Sequence, residues 1–264
     1  MLQVSLDLKA EAEELNAFLG TLDEKDWQRP TAFKDWTPWD VVAHLHLFDR
    51  VSLLSLNDPE AFAKCREDLT AKMLSGITLA DEARREFDGL SPATLRQNWI
   101  SACREMADAL GGSDPKRRLP WFGPDMGVPM FTTARYMETW AHGQEVYDLM
   151  HQPRTHTDRI KNIAVIGMKT FGWTFVNRGE DVPGAPPYVR LVSPSQDVWE
   201  WNDSSDEEYV RGSAVDFCHV VTQGRNIADT ALEVKGPIAT RWMSIAQCFA
   251  GAPADPPEPG DRTG

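Results

Sequence analysis

The sequence predicts an α+β fold that is mostly helical, with an N-terminal four-helix bundle and a smaller C-terminal α/β domain. Apolar residues recur at helical spacing through much of residues 1–178, and several segments open with clear helix-start signals. A stretch with three prolines, residues 181–187, then precedes short runs of β-branched and aromatic residues. We therefore expect a helical domain over residues 1–178, a small α/β domain over 179–250 and a disordered tail over 251–264.

The first two bundle helices follow from spacing and from a start signal. Residues 6–22 place apolar side chains at helical intervals with acidic residues between them. The second helix is predicted to start at Thr37, which can act as N-cap. Pro38 suits the first helical position, and Asp40 lies where a capping box places an acid. This helix is expected to extend to about residue 56.

Two more long helices and a loop complete the predicted bundle. Start and stop signals bound one helix over residues 91–110, and residues 132–150 form the other. The intervening residues 113–130 are rich in glycine and proline and carry Trp121 and Phe122, which are unusual in a merely solvated loop. Two further helical segments are predicted, over residues 81–88 and 157–176.

The C-terminal part predicts a hairpin and mixed elements. Residues 188–192 and 198–201 are β-branched and aromatic runs joined by five turn-forming residues. A helix over residues 213–223, a strand over 231–235 and a helix over 239–250 follow. Residues 251–264 contain four prolines and three glycines, and this composition predicts the disordered tail.

Charge and composition exclude several classes of partner. Lys and Arg number 27 against 40 Asp and Glu, a net charge of −13, so phosphate backbones and anionic lipid surfaces are unfavourable partners. No signal peptide or transmembrane segment is recognisable. The four cysteines form no CxxC pair and are expected to be reduced, so we expect a cytoplasmic protein. The oligomeric state stays open, with a homodimer as one alternative.

A pair of residues four apart suggests a metal site. Glu138 and His142 would share one face of a helix, one turn apart, and could bind one ion with a third ligand from a neighbouring helix. His44 and His46 are the candidates for that third ligand. We favour His44, because it shares the more continuously apolar face of its helix. The alternative is a chance surface pair beside a hydrogen-bonded core histidine.

These segments resemble the DinB-like superfamily, which includes mycothiol-dependent maleylpyruvate isomerase. The residues that carry the resemblance are Trp36-Thr37, Asp40 and His44 in one segment, and Glu138, His142 and Glu145 in the other. A looser likeness reaches the C-terminal part. It consists of the Trp-rich stretch Val198-Trp199-Glu200-Trp201 and the sequence Thr222-Gln223-Gly224-Arg225.

The resemblance implies a DinB-like four-helix bundle that holds a metal, usually zinc, through His44, Glu138 and His142. It also implies a low-molecular-weight thiol such as mycothiol as cofactor and a small molecule as substrate. Arg225 would take the place of an arginine that helps at the isomerase's active site. The alternative for Arg225 is a surface cation at the C-terminus of its own helix. A His₂Glu site also accepts other divalent ions.

Four further residues have open roles. Trp121 and Phe122 are the aromatic pair that we expect to contact a bound ligand or cofactor, although most aromatic residues simply pack in cores. Asp40 is expected to act at the helix start, with support of His44 as the alternative. Glu145 would either orient His142 or be a solvated acid.

Three functions remain open from the sequence. The first is a zinc-dependent, thiol-dependent transferase or isomerase, in which the metal-bound thiol is the nucleophile. The second is a hydrolase that uses metal-bound water, with Glu145 or Asp40 as general base. The third is a binding module without chemistry, with or without a structural metal.

Overall fold

The protein is described here by a computed structural model that covers residues 1–262. It divides into two compact units, with the boundary after residue 150. This boundary lies earlier than residue 178, where the sequence placed it, because the helices that follow residue 150 pack on later elements of the second unit. Within the described residues, no helix combines the length and apolar character needed to cross a bilayer.

The first unit confirms the predicted four-helix bundle. Its long helices are α1 (Gln3–Leu19), α2 (Pro38–Asn57), α5 (Pro92–Gly111) and α6 (Val128–Leu149), and its shorter ones are α3 (Pro59–Leu74) and α4 (Leu79–Glu86). Helix α1 packs against α5 and α6, and α2 packs against the same two helices. Helices α3 and α4 both pack on α2.

Large apolar side chains fill the centre of the bundle. Leu15 of α1, Leu45 of α2, Trp99 of α5 and Trp140 of α6 are all essentially inaccessible to solvent. Burying side chains of this size stabilises a fold by roughly 1.5–3 kcal/mol each. The four helices are therefore held by a shared core, which fixes the faces that α2 and α6 turn towards each other.

Helix α3 was not predicted, although its start signal is present. Asp58 accepts a hydrogen bond from the Ala61 backbone N–H at 3.0 Å, and Pro59 occupies the first turn. Only Phe62 and Leu69 of this helix are buried, so its apolar periodicity is weak. The loop predicted over residues 113–130 ends at residue 127, because α6 already begins at Val128, and it contains a short antiparallel pair, β1 (Arg118–Leu119) and β2 (Met126–Gly127).

The second unit is a four-stranded sheet with helices. Its elements are α7 (Lys161–Lys169), α8 (Phe171–Asn177), β3 (Tyr188–Val192), β4 (Val198–Trp201), β5 (Tyr209–Ser213), α9 (Ala214–Val221), β6 (Glu233–Lys235) and α10 (Pro237–Ile245). The strand order is β4-β3-β5-β6. The β3–β4 hairpin was predicted, whereas β5, which pairs in parallel with β3, was not. The predicted helix over residues 157–176 is interrupted at Thr170.

The described part of the C-terminal tail is hydrogen-bonded to the second unit. Arg178 forms an ion pair with Asp255 at 2.8 Å, and the Asn226 amide donates to the Pro257 carbonyl at 2.8 Å. Residues 251–262 thus differ from the expected disordered tail, because side chains of the unit bind their backbone and carboxylate oxygens. Residues 263–264 of that predicted tail lie outside the described residues.

Candidate metal centre

A capping box fixes the start of α2. The Thr37 hydroxyl accepts from the Asp40 backbone N–H at 3.3 Å, and the Asp40 carboxylate accepts from the Thr37 backbone N–H at 2.9 Å. Arg84 of α4 donates to both oxygens of the buried Asp40 carboxylate, at 2.7 and 2.9 Å. Asp40 therefore acts at the helix start and anchors α4, one turn before His44.

We expect Thr37→Ala to lower the free energy of unfolding by about 1 kcal/mol, because the first turn of α2 loses its side-chain cap. Thr78 forms the equivalent capping box with Asp81 at the start of α4 and is the matched control. Urea denaturation should give similar losses for Thr37→Ala and Thr78→Ala. A loss near zero for Thr37→Ala would contradict the contribution of this cap.

The three predicted ligand side chains lie together between α2 and α6. The Oε2 atom of Glu138 is 3.4 Å from Nε2 of His44 and 3.3 Å from Nε2 of His142. One potential ligand atom from each residue lies within 4.8 Å of the other two. The i,i+4 spacing on α6 provides two of these atoms, and the face of α2 that meets α6 provides the third.

Burial and hydrogen bonding shift the pKa values of two members of the cluster, His44 and Glu138. Burial lowers the pKa of His44 to about 4, so its imidazole is neutral at pH 7. Burial alone would raise the pKa of Glu138, but hydrogen bonds from His142 and His44 outweigh it and hold this pKa well below its ordinary value. The cluster therefore offers the neutral imidazole of His44 and the carboxylate anion of Glu138.

The donor set fits a divalent ion such as zinc. Two imidazole nitrogens and one carboxylate oxygen are a common set of three protein ligands at catalytic zinc sites. The side chains of Glu138 and His142 are 22% and 13% exposed, so a fourth position can be reached from solvent. In the part of the chain that the structure describes, the second ring nitrogen of His44, Nδ1, is buried without a hydrogen-bond partner, so the neighbouring rings and not a second hydrogen bond orient this imidazole.

His46 lies apart from this cluster. Its ring stacks on Phe87 with centroids 4.7 Å apart, and burial lowers its pKa to about 4. His44 and His46 are two residues apart on α2, so they point to different sides of the helix. The structure thus places His44 with Glu138 and His142, and places His46 in a separate apolar contact.

Aromatic rings surround the two histidines. Trp36 stacks on His142 with centroids 5.3 Å apart and lies 5.0 Å from His44. Phe33 contacts the His142 ring at 5.2 Å, and Phe48 contacts the His44 ring at 4.8 Å. Phe33 is partly exposed, whereas Trp36 and Phe48 are buried.

Trp121 and Phe122 form the next layer of this aromatic cluster. The ring centroid of Phe48 lies 6.1 Å from that of Trp121 and 5.8 Å from that of Phe122. Phe48 therefore lies between this pair and His44. Trp121 is buried between Phe62, at 5.9 Å, and Phe131, at 4.8 Å. Phe122 is partly exposed. Trp121 therefore packs in the core, and Phe122 is the member of the pair that a ligand can reach.

A buried ion pair that the sequence reading missed joins the same two helices. Arg135 of α6 donates to one oxygen of Asp49 on α2 through Nε, at 3.3 Å, and Nη2, at 3.0 Å. Arg135 is 3% exposed and Asp49 is fully buried. Arg135 lies one turn before Glu138, and its charge also lowers the pKa of His44. Only the presence of two opposite charges on otherwise apolar helix faces could have indicated this pair.

Glu145 and Arg225 complete the list of predicted site residues. Glu145 is buried on α6, three residues after His142, which does not fit a solvated acid. Arg225 belongs to the second unit, follows α9 and is buried. Its backbone N–H donates to the His219 carbonyl of α9 at 3.3 Å, and its Nη1 donates to the Gly224 carbonyl at 2.8 Å.

Comparison with known proteins identifies relatives of the whole chain. Two uncharacterised proteins of Mycobacterium tuberculosis, from strains CDC 1551 / Oshkosh and H37Rv, are each 37% identical over 247 residues. These alignments cover 94% of this chain and 95% of each relative.

The crystal structure of the mycothiol-dependent maleylpyruvate isomerase shares the fold, with a TM-score of 0.51 and 13% identity. A mutant of that enzyme aligns with a TM-score of 0.52, and both alignments cover 83% of this chain and 87% of the other. Residues 8–147, more than half of the chain, match the family described as the mycothiol maleylpyruvate isomerase N-terminal domain. The chain therefore belongs to the mycothiol maleylpyruvate isomerase N-terminal domain family.

Proposed function

We propose that this protein is a metal-dependent enzyme that acts on a small molecule with the help of a low-molecular-weight thiol. The reaction is a transfer or isomerisation of the type carried out by mycothiol-dependent maleylpyruvate isomerase. The observation that carries the proposal is the convergence of His44, Glu138 and His142, whose ligand atoms lie within 4.8 Å of one another. Membership of the family supports mycothiol as the thiol.

Each residue of the cluster has a defined role in the proposal. His44 and His142 would hold zinc through ring nitrogens, and Glu138 would provide the anionic ligand. Zinc bound there would supply a lowered thiol pKa, leaving the sulfur as the thiolate nucleophile. Trp36 packs against both histidine rings and Phe48 packs against His44, so these rings would limit the access of water to the metal.

Residues outside the cluster would bind the organic ligands. Arg225 would pair with a carboxylate of the substrate or thiol that lies away from the reacting carbon, because a guanidinium binds carboxylates through two hydrogen bonds. Phe122, partly exposed beside Phe48, would contact a ligand through its ring face, with Trp121 packed behind it. Asp40 is bonded by Thr37 and Arg84 and would only position the His44 helix.

A hydrolase using metal-bound water is the second candidate, because the same ligand set occurs in metallohydrolases. Such an enzyme needs a general base near the metal. Asp40 does not fit that role, since both of its oxygens accept hydrogen bonds from Arg84. Glu145 is then the remaining candidate base from the sequence. The family match supports the thiol-dependent reaction, which is therefore the better supported of the two.

Metal content tests the proposal directly. Plasma mass spectrometry of the purified protein should find about one zinc per chain, the stoichiometry of a single catalytic site. His44→Ala and His142→Ala should lose the metal while circular dichroism shows that the fold persists. His46→Ala is the matched control, since His46 is buried on the same helix outside the cluster, and it should keep the metal.

Two results would overturn this proposal. Wild-type protein that contains no metal and takes up none from added zinc would leave a binding module with core histidines. Loss of metal in His46→Ala to the same extent as in His44→Ala would show that the cluster does not specify the site. Native mass spectrometry with added mycothiol then separates the two enzyme classes, because a hydrolase would retain no thiol.

A further inference from the structure

We propose that the electrophile accepted by this site carries an aromatic or bulky apolar group next to its reacting carbon, rather than a carboxylate. This inference rests on the proposed function and specifies its substrate class. Two observations carry it: aromatic rings contact the metal-ligand cluster, and the neighbouring cation, Arg135, is already paired with Asp49.

The first argument is the continuity of the aromatic surface. Two aromatic rings lie beside each histidine of the cluster, with ring centroids no more than 5.3 Å apart. Trp36 and Phe48 contact His44, and Trp36 and Phe33 contact His142. Ring faces and edges of this kind bind apolar and aromatic groups. A ligand group beside the cluster would therefore replace water on apolar surface, which is favourable only for an apolar group.

The second argument is the position of Phe122. Its ring contacts Phe48 at 5.8 Å and Trp121 at 5.3 Å, and it is the partly exposed end of this aromatic cluster. It lies in the loop between α5 and α6, not within a helix, so its exposure is not imposed by helical periodicity. Phe33 is also partly exposed, against the other histidine. The aromatic surface can thus be reached from solvent.

The third argument is electrostatic. In the proposed state the charge of zinc would be offset by the Glu138 carboxylate and the thiolate, so a substrate carboxylate beside the reacting carbon would need a cation of its own. Arg135, one turn before Glu138, is buried and donates two hydrogen bonds, of 3.3 and 3.0 Å, to Asp49. Lys34 is exposed, with its ammonium 5.1 Å from the Phe33 ring centroid, and its charge is screened by water. The charges of the first unit therefore favour a substrate with an apolar group, and not a carboxylate, beside the metal-ligand cluster.

The test compares two alkyl chlorides with mycothiol as the thiol. The reacting carbon of 4-nitrobenzyl chloride bears an aryl ring, and that of chloroacetate bears a carboxylate. In both reactions the sulfur forms a bond to carbon, the C–Cl bond breaks, chloride leaves with the electron pair, and the thiol proton passes to the buffer. Relative to the uncatalysed rates, kcat/KM should favour the aryl chloride by about tenfold or more.

Variants at Phe122 test the origin of this preference. Phe122→Leu should weaken the aryl preference by about 2- to 10-fold, the range for loss of an aromatic pair. Phe122→Lys should move the preference towards chloroacetate. Phe87→Leu is the matched control, because Phe87 packs on His46 instead of the cluster, and it should leave the preference unchanged. A preference for chloroacetate in the wild type, reduced by Lys34→Gln, would overturn the inference.

A binding measurement separates this inference from the proposed function. The unreactive probe 4-nitrobenzyl alcohol should quench tryptophan fluorescence saturably, and Phe122→Leu should weaken its binding. This readout needs neither thiol nor turnover. Protein that binds metal and thiol but not the probe contradicts the inference alone. Protein that binds the probe but holds no metal contradicts the proposed function and leaves the apolar site standing.

Discussion

Replacement of Asp49 by alanine should lower the free energy of unfolding by about 3–5 kcal/mol, the range observed when one partner of a buried ion pair is removed. Arg135 is 3% exposed and donates two hydrogen bonds to Asp49. Without that carboxylate its charge would remain in the core of the bundle with these bonds lost. Urea denaturation at pH 7, followed by circular dichroism, measures the change as a shift in midpoint at constant slope.

Two controls distinguish buried charge from lost packing. The double variant Asp49→Leu with Arg135→Met removes both charges at similar volume, so its stability should lie near or above that of the wild type. Arg104→Ala breaks a solvent-exposed pair with Glu13 and should cost less than about 1 kcal/mol. If the double variant were as unstable as Asp49→Ala, packing and not the unpaired arginine would explain the loss.

Glu138→Gln should weaken zinc binding by about 100-fold or more, since changes to residues that merely support metal ligands already cost about 10- to 100-fold. Glutamine keeps the size of the side chain but removes the negative charge that lies 3.4 and 3.3 Å from the two histidines. Competition with a chromophoric chelator measures the affinity. In the proposed reaction, turnover with thiol should fall in parallel.

The control for Glu138→Gln is Glu86→Gln. Glu86 forms an ion pair with Arg50 and is 40% exposed, so its replacement tests the general effect of removing one charge. Equal zinc affinity in Glu138→Gln and the wild type would show that the carboxylate is not a ligand. Equal weakening in both variants would instead indicate a long-range effect of net charge.

Local signals predicted much of the fold. The start of α2 was readable because a capping box uses neighbouring residues, Thr37 and Asp40, and the β3–β4 hairpin was readable from two short runs around turn residues. Strand β5 could not be predicted in this way, because it pairs in parallel with β3 and no short turn joins the two strands. The domain boundary was misplaced for a related reason, since α7 and α8 resemble bundle helices but pack in the second unit.

The candidate site shows the same division between local and long-range information. Glu138 and His142 could be paired from their spacing, and His44 from the apolar face it shares. The ion pair of Asp49 with Arg135 spans 86 residues of sequence, and no periodicity links two single charges on separate helices. Phe122 was singled out as a loop residue, but its contact with Phe48 depends on how the loop folds.

The distribution of the three ligand residues along the chain has a thermodynamic consequence. His44 and Glu138 are 94 residues apart in sequence, so a metal ion held by both would act as a cross-link that closes a long loop. An ion that binds only the folded chain stabilises it by an amount that grows with the free ion concentration, about 4 kcal/mol at a thousand times the dissociation constant. The melting temperature of the protein would then rise and fall with the availability of zinc in its surroundings.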